Sequence, residues 1–154
     1  MKNCLFCKIV KGEEPSHRIW EDEKHVAFLS SFPNTEGVTV VIPKAHYESY
    51  AFDLTDAVLS DLVLATKKVA KLLDRKFSDI GRTAMVFEGF GVNHVHAKLF
   101  PMYGTANMKE WRPLKSNVDK YFEKYEGYIS SHDYKREDDT KLAKLAQKLR
   151  LKKC

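Results

Sequence analysis

Two strand-like runs, the largely apolar residues 83–87 and the alternating residues 94–99, are separated only by a short loop built on Gly89 and Gly91, and this spacing limits the fold most. Parallel strands need a crossover of a dozen or more residues, so two strands joined this closely must be antiparallel. In the second run, side chains alternate across the strand, which puts Val95, Ala97 and Leu99 on a core face and His94, His96 and Lys98 on the other. Neighbouring nitrogen-bearing groups on that second face lie roughly 6.5–7 Å apart, enough to span a phosphoryl group or a metal ion. Gly89 and Gly91 let backbone approach an anion closely, because glycine has no side chain in the way and accepts positive φ. Pro101 is expected to end the strand, since it brings no ladder donor.

The same logic runs along the rest of the chain. Residues 4–11 are short and apolar and are followed by Gly12, a natural C′ residue, which predicts a short helix. Residues 18–21 and 25–29 read as two strands over the polar turn 22–24. The β-branched run 38–42, stopped by Pro43, reads as a central strand that delivers Lys44 and His46 just past its end. Over residues 56–75, Val58, Leu62, Val63, Ala65, Val69, Leu72 and Leu73 recur at helical spacing, with Thr55 placed as N-cap. Near the C-terminus, Leu142, Leu145 and Leu149 form one stripe of a final basic amphipathic helix. The aromatic series Trp111, Tyr121, Phe122, Tyr125 and Tyr128 is expected to pack on the domain rather than to stack on bases. The expected class is α+β: an antiparallel sheet of about five strands, one long helix, a short N-terminal helix and a helical tail. A domain over residues 1–103 would carry an extension over residues 104–154.

Composition narrows the partners. With 154 residues, 44% of them apolar, the chain can fill one real core. It has no apolar run long enough to span a membrane and no secretory apolar region after Met1, so the expected setting is cytoplasmic. The net charge is +5, and all of it resides in residues 135–154. A balanced body with a basic tail argues against a nucleic-acid-coating domain, and a solvated helix face accounts for the tail. Cys4, Cys7 and Cys154 are too few for a disulfide framework, which leaves metal or redox chemistry for Cys4-x-x-Cys7. No thioredoxin-like βαβ pattern surrounds the pair. His17, His25 and His132 carry no motif and are expected at the surface or in turns.

Several landmarks occur in one order: Cys4-Leu5-Phe6-Cys7-Lys8-Ile9, Trp20-Glu21-Asp22-Glu23, Val40-Val41-Ile42-Pro43-Lys44-x-His46 and His94-Val95-His96. In these the chain resembles the histidine triad (HIT) family of nucleotide hydrolases and transferases, from about residue 3 to about residue 103. The resemblance implies a five-stranded antiparallel α+β fold, assembly as a homodimer, and cleavage of a phosphoanhydride or phosphoramidate through a covalent nucleotidyl-histidine. His96 matches the nucleophile, and Lys98 is placed to neutralise phosphate. Phe6, Ile9 and Phe28 match positions that line the base pocket, although they would serve equally as plain core. Gly89, Gly91 and Asn93 belong to the phosphate loop. Family members that keep the N-terminal Cys-x-x-Cys bind zinc with it, and Cys4, Cys7, His46 and His94 match that set. Two thiolates and two imidazoles suit tetrahedral Zn²⁺ in a structural role.

The departures fall on functional positions. Lys98 stands where the family has a third histidine, and Val38 where it has a supporting one. Ser30 replaces an aspartate that takes the ribose hydroxyls, and Phe87 and Phe90 replace polar residues of a longer loop. A site built on paired polar groups changes its substrate when those groups change. A second reading follows from these losses, a phosphate- or nucleotide-binding module with little chemistry. In a third reading the tail binds nucleic acid.

Overall fold

The computed structural model describes residues 3–108, 111–113 and 121–124. The chain divides into two units, residues 1–111 and 112–154. The first unit is α+β, as the periodicities require. It holds a helix α1 (Leu5–Lys11), strands β1 (Arg18–Glu21), β2 (His25–Leu29) and β3 (Thr39–Pro43), a long helix α2 (Asp56–Lys76), and strands β4 (Ile80–Val86) and β5 (Ala97–Tyr103). The five strands form one sheet in the order β1-β2-β3-β5-β4, and every pairing is antiparallel.

Both faces of the central strands are covered, which explains why β2 and β3 read as unbroken apolar runs rather than as alternation. On one face Leu62, Ala65, Val69 and Leu73 of α2 pack on Ala27, Val41, Val95, Ala97 and Leu99. On the other, Phe6 and Ile9 of α1 pack on Val26, Phe28, Val40 and Ile42. A helix of seven residues is not stable alone. Burying Phe6 and Ile9, at roughly 1.5–3 kcal/mol each, is what holds α1 on the sheet. Gly12 ends α1 in the left-handed region (φ 79°), with its N–H and that of Glu13 donating to the Ile9 and Lys8 carbonyls at 3.0 and 2.9 Å. Thr55 caps α2, its hydroxyl accepting from the Val58 N–H at 3.5 Å.

Four expectations are corrected. First, β5 does not stop at Pro101 but continues to Tyr103. The ladder to β3 ends at the Thr39–Leu99 pair, so Pro101 lies where β5 is paired with β4, opposite Thr83. A missing donor is tolerated where one side of a strand has no neighbour. Second, β4 begins at Ile80 rather than Thr83, because the irregularity at Gly81 and Arg82 is bridged from outside the ladder. The Thr105 hydroxyl accepts from both of those N–H groups, at 2.9 and 3.1 Å, and donates to the Met102 carbonyl at 2.6 Å. Third, His25, at the end of the β1–β2 turn, is buried rather than at the surface, its Nδ1 3.1 Å from Asp22 Oδ1. It borders a cleft of about 760 Å³ that also meets Lys24, Asp61, Lys68 and Arg75. Fourth, Trp111 is exposed rather than packed on the domain. His17 is exposed, as expected, whereas His132, Tyr125, Tyr128 and the basic C-terminal helix lie outside the described residues. Among the described residues, no helix is long and apolar enough to cross a membrane.

Replacing Thr105 by valine keeps shape but leaves two N–H groups in β4 without their acceptor. Urea denaturation should show a loss of about 1–3 kcal/mol for Thr105→Val. An unchanged midpoint would mean that water replaces the hydroxyl.

Candidate active site and metal centre

Four ligand-type side chains converge from three parts of the chain. Cys4 is the N-cap of α1 and Cys7 lies one turn further, so their i, i+3 spacing places both thiols on one helix face. His46 follows the end of β3, and His94 is wholly buried in the loop that enters β5. Their ligand atoms all lie within 4.8 Å of one another. Cys4 Sγ and Cys7 Sγ stand 3.5 and 3.6 Å from His94 Nδ1, and Cys7 Sγ is 3.3 Å from His46 Nδ1. With Zn–S near 2.3 Å and Zn–N near 2.0–2.1 Å, the edges of a tetrahedral site between S and N are about 3.5 Å. The four groups fit zinc. The imidazole Nε2 of His94 donates to the Pro43 carbonyl at 3.0 Å, which leaves Nδ1 as the ligand atom. Burial, opposed in part by that hydrogen bond, pushes the His94 pKa down to about 4, so the ring is neutral and ready to ligate at pH 7. Burial, with Cys4 beside it, raises the Cys7 thiol, so deprotonation of Cys7 would fall to a bound cation.

The four-residue cluster and His96 are joined through one backbone group. His96 is buried, and its Nδ1 donates to the His94 carbonyl at 2.8 Å. Since a carbonyl only accepts, Nδ1 carries the proton and Nε2 keeps its lone pair. The ring packs nearly perpendicular to Phe6 of α1, at 5.3 Å between centroids, and Phe6 packs in a similar edge-on manner on His94 at 5.8 Å. Burial first, then the Lys98 charge, lower the His96 pKa and favour the neutral ring, opposed by the hydrogen bond to the His94 carbonyl and by the Glu88 carboxylate.

His94 and His96 precede β5, which starts at Ala97, yet the alternation holds through them. Val95, Ala97 and Leu99 are in the core beneath α2, and both rings lie against Phe6 on the α1 face. Lys98 pairs in register with Val40, which packs on that same face, and with Val86 of β4. Its ammonium is ion-paired with Glu88, a residue that the sequence pattern did not single out. The signal was an acid next to Gly89, readable only once the register of β4 on β5 is known.

The remaining candidates divide. Phe6, Ile9 and Phe28 are buried together as core on the α1 face. Gly89 has φ 72°, and a Cβ there would come within 3.0 Å of the Ser49 carbonyl oxygen, so glycine is needed. Gly91 needs glycine for its φ of 87° alone, since a Cβ would meet nothing within 4 Å. The Asn93 side-chain carbonyl accepts from the Ser49 N–H at 3.0 Å, tying the loop before His94 to the segment that carries His46. The Ser30 hydroxyl accepts from the Phe32 N–H at 3.2 Å in the loop between β2 and β3. Lys44 is turned to Glu21, at 2.6 Å, Val38 is buried, and Phe90 is largely exposed.

This sheet, with two histidines entering β5 beside a Cys-x-x-Cys helix, is an α+β architecture of the histidine triad kind. The HIT domain model matches residues 11–105, and the chain belongs to the HIT family. Adenosine 5′-monophosphoramidase HNT1 of Candida albicans is 36% identical over 107 residues, covering 64% of this chain and 70% of that protein. Among solved structures, SMU.412c of Streptococcus mutans UA159 is similar with a TM-score of 0.69 and 30% identity, covering 97% of this chain and 84% of that one. A zinc-bound histidine triad family protein of Mycobacterium smegmatis has a TM-score of 0.62 and 25% identity, covering 73% and 84%.

The buried neutral rings make metal-free stability depend on pH. A histidine whose folded pKa lies below its unfolded value stabilises the fold fully above the unfolded value, and loses that contribution as pH falls. For His94 the window runs from 6.5 down to about 4. In the presence of chelator, the unfolding free energy from urea titrations should fall steadily as pH falls across that window, by no more than ~1.4 kcal/mol per pH unit for each ring. A His94→Asn variant with the same slope would exclude this ring as the cause.

Proposed function

We propose that this chain is a HIT-type phosphohydrolase or nucleotidyl transferase acting on a phosphoanhydride or phosphoramidate bond through a covalent phospho-histidine. The observation that carries the reading is the commitment of His96 Nδ1 to the His94 carbonyl, which leaves a neutral Nε2 as nucleophile. Nε2 attacks phosphorus, the leaving group departs with the bonding pair, and water then cleaves the P–N bond and restores the ring. Such displacement rests on positioning and on neutralising equatorial oxygens, and Lys98 is the cation of the row. The family membership and the relative named as an adenosine 5′-monophosphoramidase support a nucleotide as substrate.

In this reading Cys4, Cys7, His46 and His94 hold a structural zinc ion, which ties α1 to the entry of β5. The zinc-bound relative and the fit of the donor set support it. Phe6, Ile9 and Phe28 then form the apolar wall beneath the substrate, and Ser30, Gly89, Gly91 and Asn93 lie in the loops that border it. The working assembly is a homodimer in the cytoplasm. Support for a second copy comes from β4, an edge strand that exposes Met85.

A second reading, a binding module with little turnover, is favoured by one observation: the ammonium beside His96 cannot take the place of a third imidazole in moving protons near pH 7. The two readings separate on adenosine 5′-phosphoramidate and a dinucleoside polyphosphate. The enzyme should give an acid-labile adduct on His96, and His96→Ala should lose on the order of 10³-fold in kcat/KM. Equal turnover by parent and variant would end the mechanism, and binding without turnover by the parent would favour the module. Elemental analysis of protein prepared without added metal should find about one zinc per chain. Cys4→Ser/Cys7→Ser should abolish it, whereas metal-free parent with both thiols open to alkylation would remove the zinc site.

A further inference from the structure

We propose that Glu88 is a positioning residue for catalysis, the tether that lets a lysine serve beside His96; this rests on the reading of His96 as nucleophile. Lysine carries its charge on a flexible four-carbon stem, whereas an imidazole is short and stiff. A lysine in a ring's place therefore needs something to hold its head. Glu88 lies two residues past Val86, and Val86 is the register partner of Lys98, so the carboxylate reaches back over the neighbouring strand to the ammonium. Backbone fixes that reach. Gly89 turns the chain at once with φ 72° and lies against the Ser49 carbonyl, while Asn93 holds the far side of the same loop on the Ser49 N–H.

The two side chains differ in exposure in the useful direction. The Glu88 side chain is 13% exposed and that of Lys98 32%. The carboxylate is thus the inner partner and the ammonium the outer one. An ammonium has three N–H donors. One bond to Glu88 leaves two to meet phosphoryl oxygens without breaking the pair, so the cation is aimed before substrate arrives and need not reorganise during transfer.

The test combines turnover with a measurement that needs none. On whichever nucleotide the parent cleaves in a His96-dependent manner, Glu88→Gln should lower kcat about tenfold while KM stays within about threefold, the pattern of a lost transition-state contact. Glu88→Asp should restore part of the rate. Glu88→Gln added to Lys98→Met should cost nothing further, since both act through one ammonium. Reductive methylation of Lys98, read by mass spectrometry, should run several-fold faster in Glu88→Gln than in the parent. Multiplying rate losses in the double variant, or parental kcat with parental labelling in Glu88→Gln, would overturn the tether while leaving His96 in place. A parent without His96-dependent turnover would overturn the nucleophile and the inference together, and faster labelling would then report the ion pair alone.

Discussion

The hydrogen bond from His96 Nδ1 to the His94 carbonyl is the contact on which the site depends, because it joins two functions through one residue. The His94 ring gives Nδ1 to the cysteines of α1 and Nε2 to the Pro43 carbonyl at the end of β3, while its backbone fixes the tautomer of the next ring in the row. Move His94 and three things move together: the seat of α1, the end of β3, and the nitrogen left free on His96. Its burial is costly for a charged ring and inexpensive for a neutral one, so the same environment that aims Nδ1 at the cysteines also keeps the ring from protonating.

Helix α1 gains its place from two independent attachments. Phe6 and Ile9 bury apolar surface on Val26, Phe28, Val40 and Ile42, and Phe6 at the same time packs steeply inclined to both histidine rings. The four-residue cluster then links the N-terminal end of the helix to the loop before β5. A seven-residue helix would not persist without such contacts, so the geometry around His96 is inherited from tertiary packing rather than from helix propensity.

What could be read from the sequence follows the same division between local and non-local physics. The element types, the antiparallel join of β4 to β5, the Gly12 and Thr55 caps and the facing of His94, His96 and Lys98 are local, and periodicity and capping chemistry carry them. The start of β4 was hidden because Thr105, far along the chain, supplies the acceptor that its irregular turn needs. Pro101 misled because whether a proline stops a strand depends on which neighbours flank it, and that is a property of the sheet. Glu88 and His25 escaped for a related reason: an acid in a glycine loop and a histidine at a turn look solvated until their partners are placed.

An amine rather than a ring at position 98 limits what the row can do more than its net charge indicates. An imidazolium near neutrality both attracts phosphate and gives up a proton, whereas an ammonium attracts phosphate and is by far the weaker acid. Under the proposed chemistry the two candidate bonds then make unequal demands. A phosphoanhydride releases a phosphate that leaves as an anion, and charge neutralisation is most of what it needs. A phosphoramidate releases an amine, which must gain a proton as the P–N bond breaks. Since the Lys98 ammonium, held by Glu88, offers a cationic head and N–H donors rather than an acid, the residues of this row serve the anhydride more fully in this proposal, and a phosphoramidate would have to bring its proton from solvent or from its own leaving group.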